Sequence, residues 1–449
     1  MKNFLFSIFL LALCSTLAYS QDDFKPEVKV GALIYTGWQF NMDNANFITK
    51  LDTTSPNSSA AFGFNPTKFQ FETSQNSFYL ERAYINIVGL LTKDIKARVT
   101  PDVISFKDQA GTTQYALGFK YANITYTPLI KDNGMSLGFS VGIIPNKWIQ
   151  TNENYWVYRG IAKTLTDYSW ITGASVGSGL AKNTVTVSTG SYFSSADLGL
   201  GIGFTAPKGY AEIDAEILNG NGYRNLNFDN RFKDILVSGF FHPLQGQITK
   251  KMDAMKKAKK DRITGIADLT VGGFMYLGKL TQGENTQVNP ATGQVATQFQ
   301  RNRFGGMASL KLNFKTAGFV RLGGEYSMIS NQDPAAKIDS IAQTKSTGLS
   351  VYLELNPPVK SLNEKLMLIA RYDMFDPNTD NSSTSTTSFN NNTDKQSLLI
   401  LGLAFKPNKV LTLGVSYQAT TYQSEYIVKY DGTTSKTDSK LIVHGIIGF

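Results

Sequence analysis

The chain has 449 residues, of which 42% are hydrophobic, 12% aromatic and only 18% charged, and its formal net charge is +9. A soluble chain of this length usually forms two or more domains and carries more charge, so the composition argues against an ordinary set of soluble domains. The basic balance alone leaves nucleic acid, an anionic membrane surface or an anionic solute open as partners.

The first twenty residues predict a secretory signal peptide, residues 1–20. Lys2 supplies a positive charge, residues 4–13 form an apolar run, and small residues precede a cleavage point after Ser20. The run is too short for a membrane helix, which needs about 20 apolar residues. The only cysteine, Cys14, lies inside the signal, so a mature chain of residues 21–449 has no disulfide or thiolate site. Export also makes a nucleic-acid partner implausible.

Short runs of alternating apolar and polar residues follow one another along the mature chain. In residues 211–217, for example, isoleucine and alanine alternate with glutamate and aspartate. This is the period of a β-strand with one apolar face. Such runs lie near residues 28–40, 77–91, 95–105, 113–127, 135–145, 197–206, 210–218, 232–242, 263–280, 303–314, 318–329, 347–356, 365–375, 397–406, 410–422 and 438–449.

Three features favour a transmembrane barrel over a soluble sandwich. Tight turns such as 92–94 alternate with long polar loops such as 377–395, aromatic residues stand near strand ends, and the last alternating strand stops at Phe449. We therefore expect an all-β fold, a transmembrane antiparallel β-barrel of 16 strands in the bacterial outer membrane, with both termini periplasmic. A further hairpin in residues 169–194 either raises the number to 18 or folds within an external loop. Barrels of this size leave an aqueous channel.

The phase of the alternation predicts the charged side chains that line the lumen. The bases are Arg82, Lys96, Arg98, Lys120, Lys311, Arg321 and Arg371, and the acids are Asp102, Glu212, Asp214, Glu216, Glu325, Glu354 and Asp373. Such a wall is close to neutral, whereas a phosphate pathway would need mostly bases. The bases gather on early strands and three acids share one later strand. Two interpretations follow: opposed stripes that orient dipolar or zwitterionic solutes, or ion pairs between neighbouring strands.

An aromatic-rich loop over residues 146–163 is the predicted constriction. It contains Trp148, Glu153, Tyr155, Trp156, Tyr158 and Arg159. Folded inward, the loop would narrow the pore; alternatively, its aromatic residues anchor it to the barrel wall or lie at the rim of the outer leaflet.

Residues 248–263 differ from everything around them. They lack Gly and Pro, they are rich in lysine, and Ile248, Met252 and Met255 fall on one helical face. We expect a short basic helix in a periplasmic connection. It is either a solvated surface helix or a contact for the anionic inner leaflet, cell-wall carboxylates or the inner mouth of the pore.

Several short motifs, in a fixed order, resemble the phosphate-selective porin O/P-like family of bacterial outer-membrane porins. The motifs are residues 82–84 followed by 88–102, Tyr158-Arg159 with residues 164–167, and residues 196–199, 219–223 and 370–378. The resemblance implies a 16-stranded trimeric porin with an inward-folding third external loop. Residues 169–194 look like an insertion relative to that pattern.

These observations predict a porin through which small hydrophilic solutes or ions diffuse passively. The alternative is an adhesion or structural barrel that acts through its external loops. We expect no enzyme activity, since His242 and His444 are the only histidines and neither stands near a catalytic partner at a known spacing, and we expect no cofactor or metal. The expected partners are outer-membrane lipid, the solute, further copies in a homotrimer, and barrel-assembly machinery that recognises Phe449.

Overall fold

The structure is a computed structural model that describes part of the chain and contains one large closed sheet. The described residues are 24–42, 45–47, 76–107, 113–176, 185–190, 192–224, 232–257, 263–280, 299–332, 343–379, 395–423, 427–429 and 434–449. The predicted signal peptide and several predicted long loops lie outside these ranges.

Sixteen antiparallel strands form the closed barrel, and their alternating sequences agree with the predicted strands. They are β1 (Glu27–Asn41), β2 (Asn76–Leu90), β3 (Ile95–Lys107), β4 (Thr113–Ile130), β5 (Ser136–Pro145), β6 (Ala196–Thr205), β7 (Ala211–Leu218), β8 (Asp234–Phe241), β9 (Gly265–Leu280), β10 (Phe299–Asn313), β11 (Phe319–Gln332), β12 (Gln343–Asn356), β13 (Leu366–Asp376), β14 (Gln396–Phe405), β15 (Leu411–Tyr422) and β16 (Thr437–Gly448). Each strand pairs with the next, and β16 pairs with β1 from Leu33↔Gly448 to Asn41↔Lys440. The predicted 16-stranded antiparallel barrel is confirmed.

The predicted extra hairpin exists but stays outside the barrel sheet. Trp170–Val176 pairs only with Val185–Gly190, as a separate two-stranded sheet. The strands β5 and β6 on either side of it pair directly with each other along their full length. No edge is left for the hairpin to join, so the alternative of 18 barrel strands is wrong. Three shorter strands, Ala45–Phe47, Ile427–Lys429 and Thr434–Ser435, form a small separate sheet.

The outward face of the barrel is an apolar belt. On β7, Ile213 and Ile217 are 53% and 50% exposed, whereas Glu216 between them is buried. The same alternation places Leu322 and Leu401 outside. A closed barrel leaves no edge strand with unpaired backbone groups. Its apolar exterior is stable in contact with lipid rather than water. The barrel is therefore built to span a bilayer.

Among the described residues, two short α-helices lie in the connections. The first, α1 (Lys147–Tyr155), follows β5, and the second, α2 (Gln245–Lys257), follows β8. The predicted basic helix at residues 248–263 corresponds to α2, which begins three residues earlier; residues 258–262 lie outside the described residues, and Ile263 is not helical. Within the described ranges, no helix has the length and hydropathy needed to cross a bilayer.

The two ends of the barrel differ in the length of their connections. At one end lie the start of β1, the end of β16, α2 and the short turns at residues 91–94, 131–135, 206–210, 314–318, 357–365 and 406–410. All the remaining connections lie at the opposite end, including the one that holds α1. This division is the one expected of periplasmic turns and external loops.

The largest hydrophobic core of the described residues lies inside the barrel. The segment after β5 folds into the lumen, and we call residues 146–170 and 192–195 the plug. The plug packs on inward-facing apolar side chains of β7 to β14, which we call the apolar seat: Leu218, Leu236, Phe240, Phe274, Tyr276, Met307, Phe319, Ile329, Tyr352, Met367, Ile369, Phe375, Leu398, Ile400 and Ala404. One half of the lumen is thus filled like the core of a soluble domain.

Candidate functional site in the barrel lumen

Trp148 anchors α1 in the apolar seat. Its side chain has no exposed area, and its indole lies 5.4 Å from the ring of Phe240 and 4.6 Å from that of Phe274. The side chain of Asn146 caps the helix by accepting the backbone N–H of Ile149 at 3.1 Å. A cap and a buried aromatic residue together fix a helix that is too short to be stable alone.

Glu325 binds the plug through three hydrogen bonds. Its Oε1 accepts the indole N–H of Trp148 at 2.8 Å and the hydroxyl of Thr166 at 2.9 Å, and its Oε2 accepts the backbone N–H of Leu165 at 3.1 Å. The Glu325 side chain is almost fully buried on β11. Hydrogen bonds to an ionised group are stronger than those between neutral groups, so one carboxylate joins both ends of the inward segment to the wall.

Glu354 and Arg321 bind the middle of the plug. The hydroxyl of Tyr158 donates to Glu354, whose other oxygen lies 3.3 Å from the guanidinium of Arg321. Arg321 also donates to the backbone carbonyl of Tyr155 at 3.0 Å. Two predicted lumen charges from neighbouring strands therefore pair with each other and also hold the plug.

Arg371 and Asp373 form a second pair of this kind on β13. The guanidinium of Arg371 donates to both carboxylate oxygens of Asp373, at 2.8 and 2.7 Å, and to the backbone carbonyl of Lys163 at 2.6 Å. Nearby, Gln418 donates to the carbonyl of Ile161 at 2.8 Å. Hydrogen bonds to the wall are therefore distributed along the whole length of the plug.

A layer of buried charges lies opposite the apolar seat. Arg82 of β2 pairs with Asp102 of β3 at 2.9 Å and donates to the hydroxyl of Tyr223 at 2.8 Å. Lys120 of β4 donates to the hydroxyl of Tyr84 at 3.2 Å. All five side chains are less than 10% exposed. The layer lies in the polar half of the lumen, within the middle part of strands β2 to β4.

The plug contributes its own charges to this layer. Arg159 pairs with Glu153 within the plug and with Asp167 at 2.7 Å. Burial alone would raise the pKa of the Asp167 carboxyl, but the adjacent Arg159 and Lys163 hold that pKa below its ordinary value. Asp167 therefore remains a carboxylate inside the barrel, paired with Arg159.

The residues predicted for the constriction loop all lie in the plug: Trp148, Glu153, Tyr155, Trp156, Tyr158 and Arg159. The inward segment continues past the predicted end at residue 163, because Leu165 and Thr166 also contact the wall. The aromatic side chains reach the inner wall, where Tyr155, for instance, donates to Thr270 at 2.8 Å.

The predicted lumen charges fall into two groups. Those of the first group contact side chains of the wall or the plug on the outer side of the inner cavity, as described for Arg82, Asp102, Lys120, Glu325 and the pairs on β11 to β13. Lys311 lies with its ammonium 4.1 Å from the centre of the Phe319 ring. The second group lies on β3 and β7, towards the end with the short turns: Lys96, Arg98, Glu212, Asp214 and Glu216. Ion pairs within the wall join Arg82 with Asp102, Arg321 with Glu354 and Arg371 with Asp373. In the second group, Glu212 pairs instead with Lys147 of the plug.

On the polar side of the plug, the described residues enclose two cavities, one at each end. The outer cavity, about 360 Å³, lies at the end with the long connections, and its charged lining residues are Arg82, Lys163, Arg224, Arg301, Arg303, Asp167 and Asp197. The inner cavity, about 290 Å³, lies at the other end, and its charged lining residues are Lys96, Arg98, Lys147, Asp214 and Glu216. The charge layer at Arg82, Asp102 and Lys120 lies between them.

Sequence reasoning missed the apolar seat and part of the outer cavity. A continuous apolar run at residues 398–401, rather than alternation, is typical of a strand that is buried on both faces, and it could have indicated the seat. Arg301 and Arg303 share a face at the start of β10, and only their two-residue spacing marks them. Within the described residues, no three His, Cys, Asp or Glu side chains are grouped to hold a metal ion.

No family model matches the chain, and no curated protein matches it. Among solved structures, the outer membrane channel DcaP of Acinetobacter baumannii is 9% identical, with 96% of this chain and 99% of that chain covered and a TM-score of 0.49. OmpF of Salmonella typhi, in complex with daunomycin, is 10% identical over 94% of this chain and 97% of that chain, with a TM-score of 0.46. OprB of Pseudomonas putida is 7% identical over 94% of this chain and 92% of that chain, with a TM-score of 0.42.

Proposed function

We propose that this protein is an outer-membrane porin through which small hydrophilic solutes or ions diffuse passively. The observation that carries the proposal is a closed 16-stranded barrel with an apolar exterior and charged, polar cavities at both ends of its lumen. A barrel of this size is wide enough for an aqueous path, and the lining charges select the solute.

The plug is the constriction in this proposal. It fills the half of the lumen next to β7 to β14, so the remaining path follows β2 to β7 past the layer of Arg82, Asp102 and Lys120. Pore size is therefore set by the plug and not by the barrel circumference.

Conductance across a planar bilayer tests this function. The purified barrel should produce discrete current steps in KCl, with a conductance that depends on salt concentration. A protein that inserts into the bilayer and carries no current would instead be the adhesion or structural barrel that acts through its external loops.

We propose that the barrel assembles as a homotrimer through β1 to β4. Apolar side chains on this outward face are unusually exposed: Phe78 is 88%, Leu117 69% and Val30 66% exposed, against 47% for Leu401 on the opposite side. A second copy would cover such protruding side chains. Chemical cross-linking in detergent should capture a trimer that Phe78→Ala and Leu117→Ala weaken and Leu401→Ala leaves intact.

Phe449 is the proposed contact for the barrel-assembly machinery. Its backbone pairs with Ala32 of β1, with N···O distances of 3.1 and 2.9 Å, while its side chain is 74% exposed.

Membership of the phosphate-selective porin O/P-like family is likewise a proposal, supported by the motif order. Phosphate that competes with the chloride current would support it; a chloride current insensitive to phosphate would contradict it.

A further inference from the structure

We propose that the inner cavity is a weak binding site for small zwitterionic solutes such as amino acids, which it orients between a basic and an acidic wall. The inference rests on the proposed porin function and names a solute class for it. The cavity lies between the plug and β3 to β7, at the end with the short turns.

Arg98 and Lys96 of β3 form the basic wall. Arg98 donates through Nε to Thr100 at 3.1 Å and through Nη2 to Asn86 at 2.8 Å, and its guanidinium lies 4.0 Å from the ring centre of Tyr121. All three partners are uncharged groups that fix the orientation of the guanidinium and leave its positive charge in place. Lys96 is exposed at the cavity's inner end.

Asp214 and Glu216 of β7 form the acidic wall. Glu216 is only 4% exposed; its Oε1 accepts the backbone N–H of Lys147 at 3.0 Å, whereas its buried Oε2 has no hydrogen-bond partner within the described structure. Because that oxygen has almost no exposed area, Glu216 adds negative charge behind the half-buried Asp214, which is the carboxylate that a ligand ammonium can reach. Lys147, the remaining charged residue of the cavity lining, has its ammonium 3.7 Å from Glu212, the third acid of the strand.

The strands between these walls present uncharged groups. Asn123 and Thr125 of β4, Ser140 of β5 and glycines of β5 and β6 line the cavity there. Both charged walls border one space of about 290 Å³, at the lower end of the range for small-molecule sites, about 300–1,000 Å³. A solute that contacts both walls must therefore be small.

A zwitterion matches both walls at once. Its carboxylate can accept from Arg98 while its ammonium donates to Asp214. A simple anion or cation meets one attractive and one repulsive wall, and an uncharged molecule gains from neither. Weak binding of this kind raises the solute's concentration inside the pore without trapping it.

Liposome swelling with glycine and its uncharged isomer glycolamide tests the proposal. Because the two molecules have the same atoms and nearly the same size, the ratio of their entry rates reports charge alone. For the unaltered protein we expect glycine to enter about twofold to fivefold faster, the range that a partly exposed ion contact gives. The double variant Asp214→Asn/Glu216→Gln should bring the ratio close to one, with little change for glycolamide.

Two further variants keep the test decisive. Arg98→Gln removes charge from the opposite wall and should lower the ratio as well, so a folding defect of the acidic double variant would not end the test. Asp268→Asn removes one negative charge from β9, outside the cavity lining. This control should leave the ratio of the glycine and glycolamide entry rates unchanged. Heat-dependent mobility on SDS gels reports whether each variant forms a barrel.

The outcomes separate the two proposals. If both solutes enter the liposomes at equal rates, or if the ratio survives in the Asp214→Asn/Glu216→Gln and Arg98→Gln variants, the zwitterion site is overturned and the porin function stands. If neither solute enters and no current crosses a planar bilayer, both proposals fail.

Discussion

Glu325 illustrates, at the scale of one residue, how a charge can stabilise the filled lumen. It stands on a wall that is otherwise largely apolar, and all of its described hydrogen bonds come from Trp148, Leu165 and Thr166 of the plug. The sequence predicted that Glu325 faces inward, because alternation determines the side of the wall. It could not predict the partners, since Trp148 is 177 residues away in the chain.

Glu325→Gln should loosen the plug. The amide of Gln can accept from Trp148, but its NH₂ group would face the backbone N–H of Leu165, so one strong hydrogen bond is lost and two donors meet. We expect a loss of about 1.5–3 kcal/mol from the plug's attachment and a larger, noisier single-channel conductance. Glu364→Gln removes the same charge from an exposed turn and should leave the conductance unchanged. A conductance of Glu325→Gln equal to that of the unaltered protein would contradict the role of Glu325.

At the scale of elements, strand positions were largely predictable, because one apolar and one polar face per strand is a local pattern; β14, with its continuous apolar run at residues 398–401, is the exception. The helix α1 was not predicted. Its sequence is mostly polar, and its stability comes from the Asn146 cap and from burial of Trp148 and Ile149 in the seat. The partners of Trp148 are Phe240, Phe274 and Glu325, which are distant in the chain, so no local pattern could reveal these contacts.

Trp148→Ala should release α1 from the seat. Removal of a buried indole from an aromatic cluster costs about 3–5 kcal/mol, and Glu325 loses a donor as well. We expect the plug to unfold at a lower temperature, as measured by near-UV circular dichroism, and we expect the conductance to rise. Tyr372→Ala, which truncates an aromatic ring on the lipid-facing side, serves as the control and should change neither the plug signal nor the conductance.

At the scale of the whole molecule, the basic charge is concentrated at one end. Without the predicted signal peptide the net charge is +8, and residues 249–262 alone hold seven bases and two acids. This segment overlaps α2, at the end with the short turns. The high isoelectric point therefore reports mainly this connection and gives no support for an anion-selective lumen.

The orientation of the molecule can be tested with introduced cysteines, because the predicted mature chain has none. Asp94 lies in an exposed short turn, and Gln423 is exposed at the end with the long connections. A maleimide on a 5 kDa polymer, too large for the pore, should label Gln423→Cys in intact cells and Asp94→Cys only after permeabilisation. The reverse labelling pattern would place the long connections in the periplasm.

The half-filled lumen divides the inward-facing positions into two classes with different tolerance to mutation. Positions on β9 to β14 that belong to the seat, such as Leu398 and Ile400, are packed like a soluble core, so random substitution there should reduce the yield of folded protein. Positions beside the inner cavity, such as Asn123 and Ser140, border open space, and changes there should alter which solutes enter while the barrel still forms. In a deep mutational scan, substitutions on the seat side of the barrel should therefore reduce folding. Substitutions on the cavity side should instead change solute uptake.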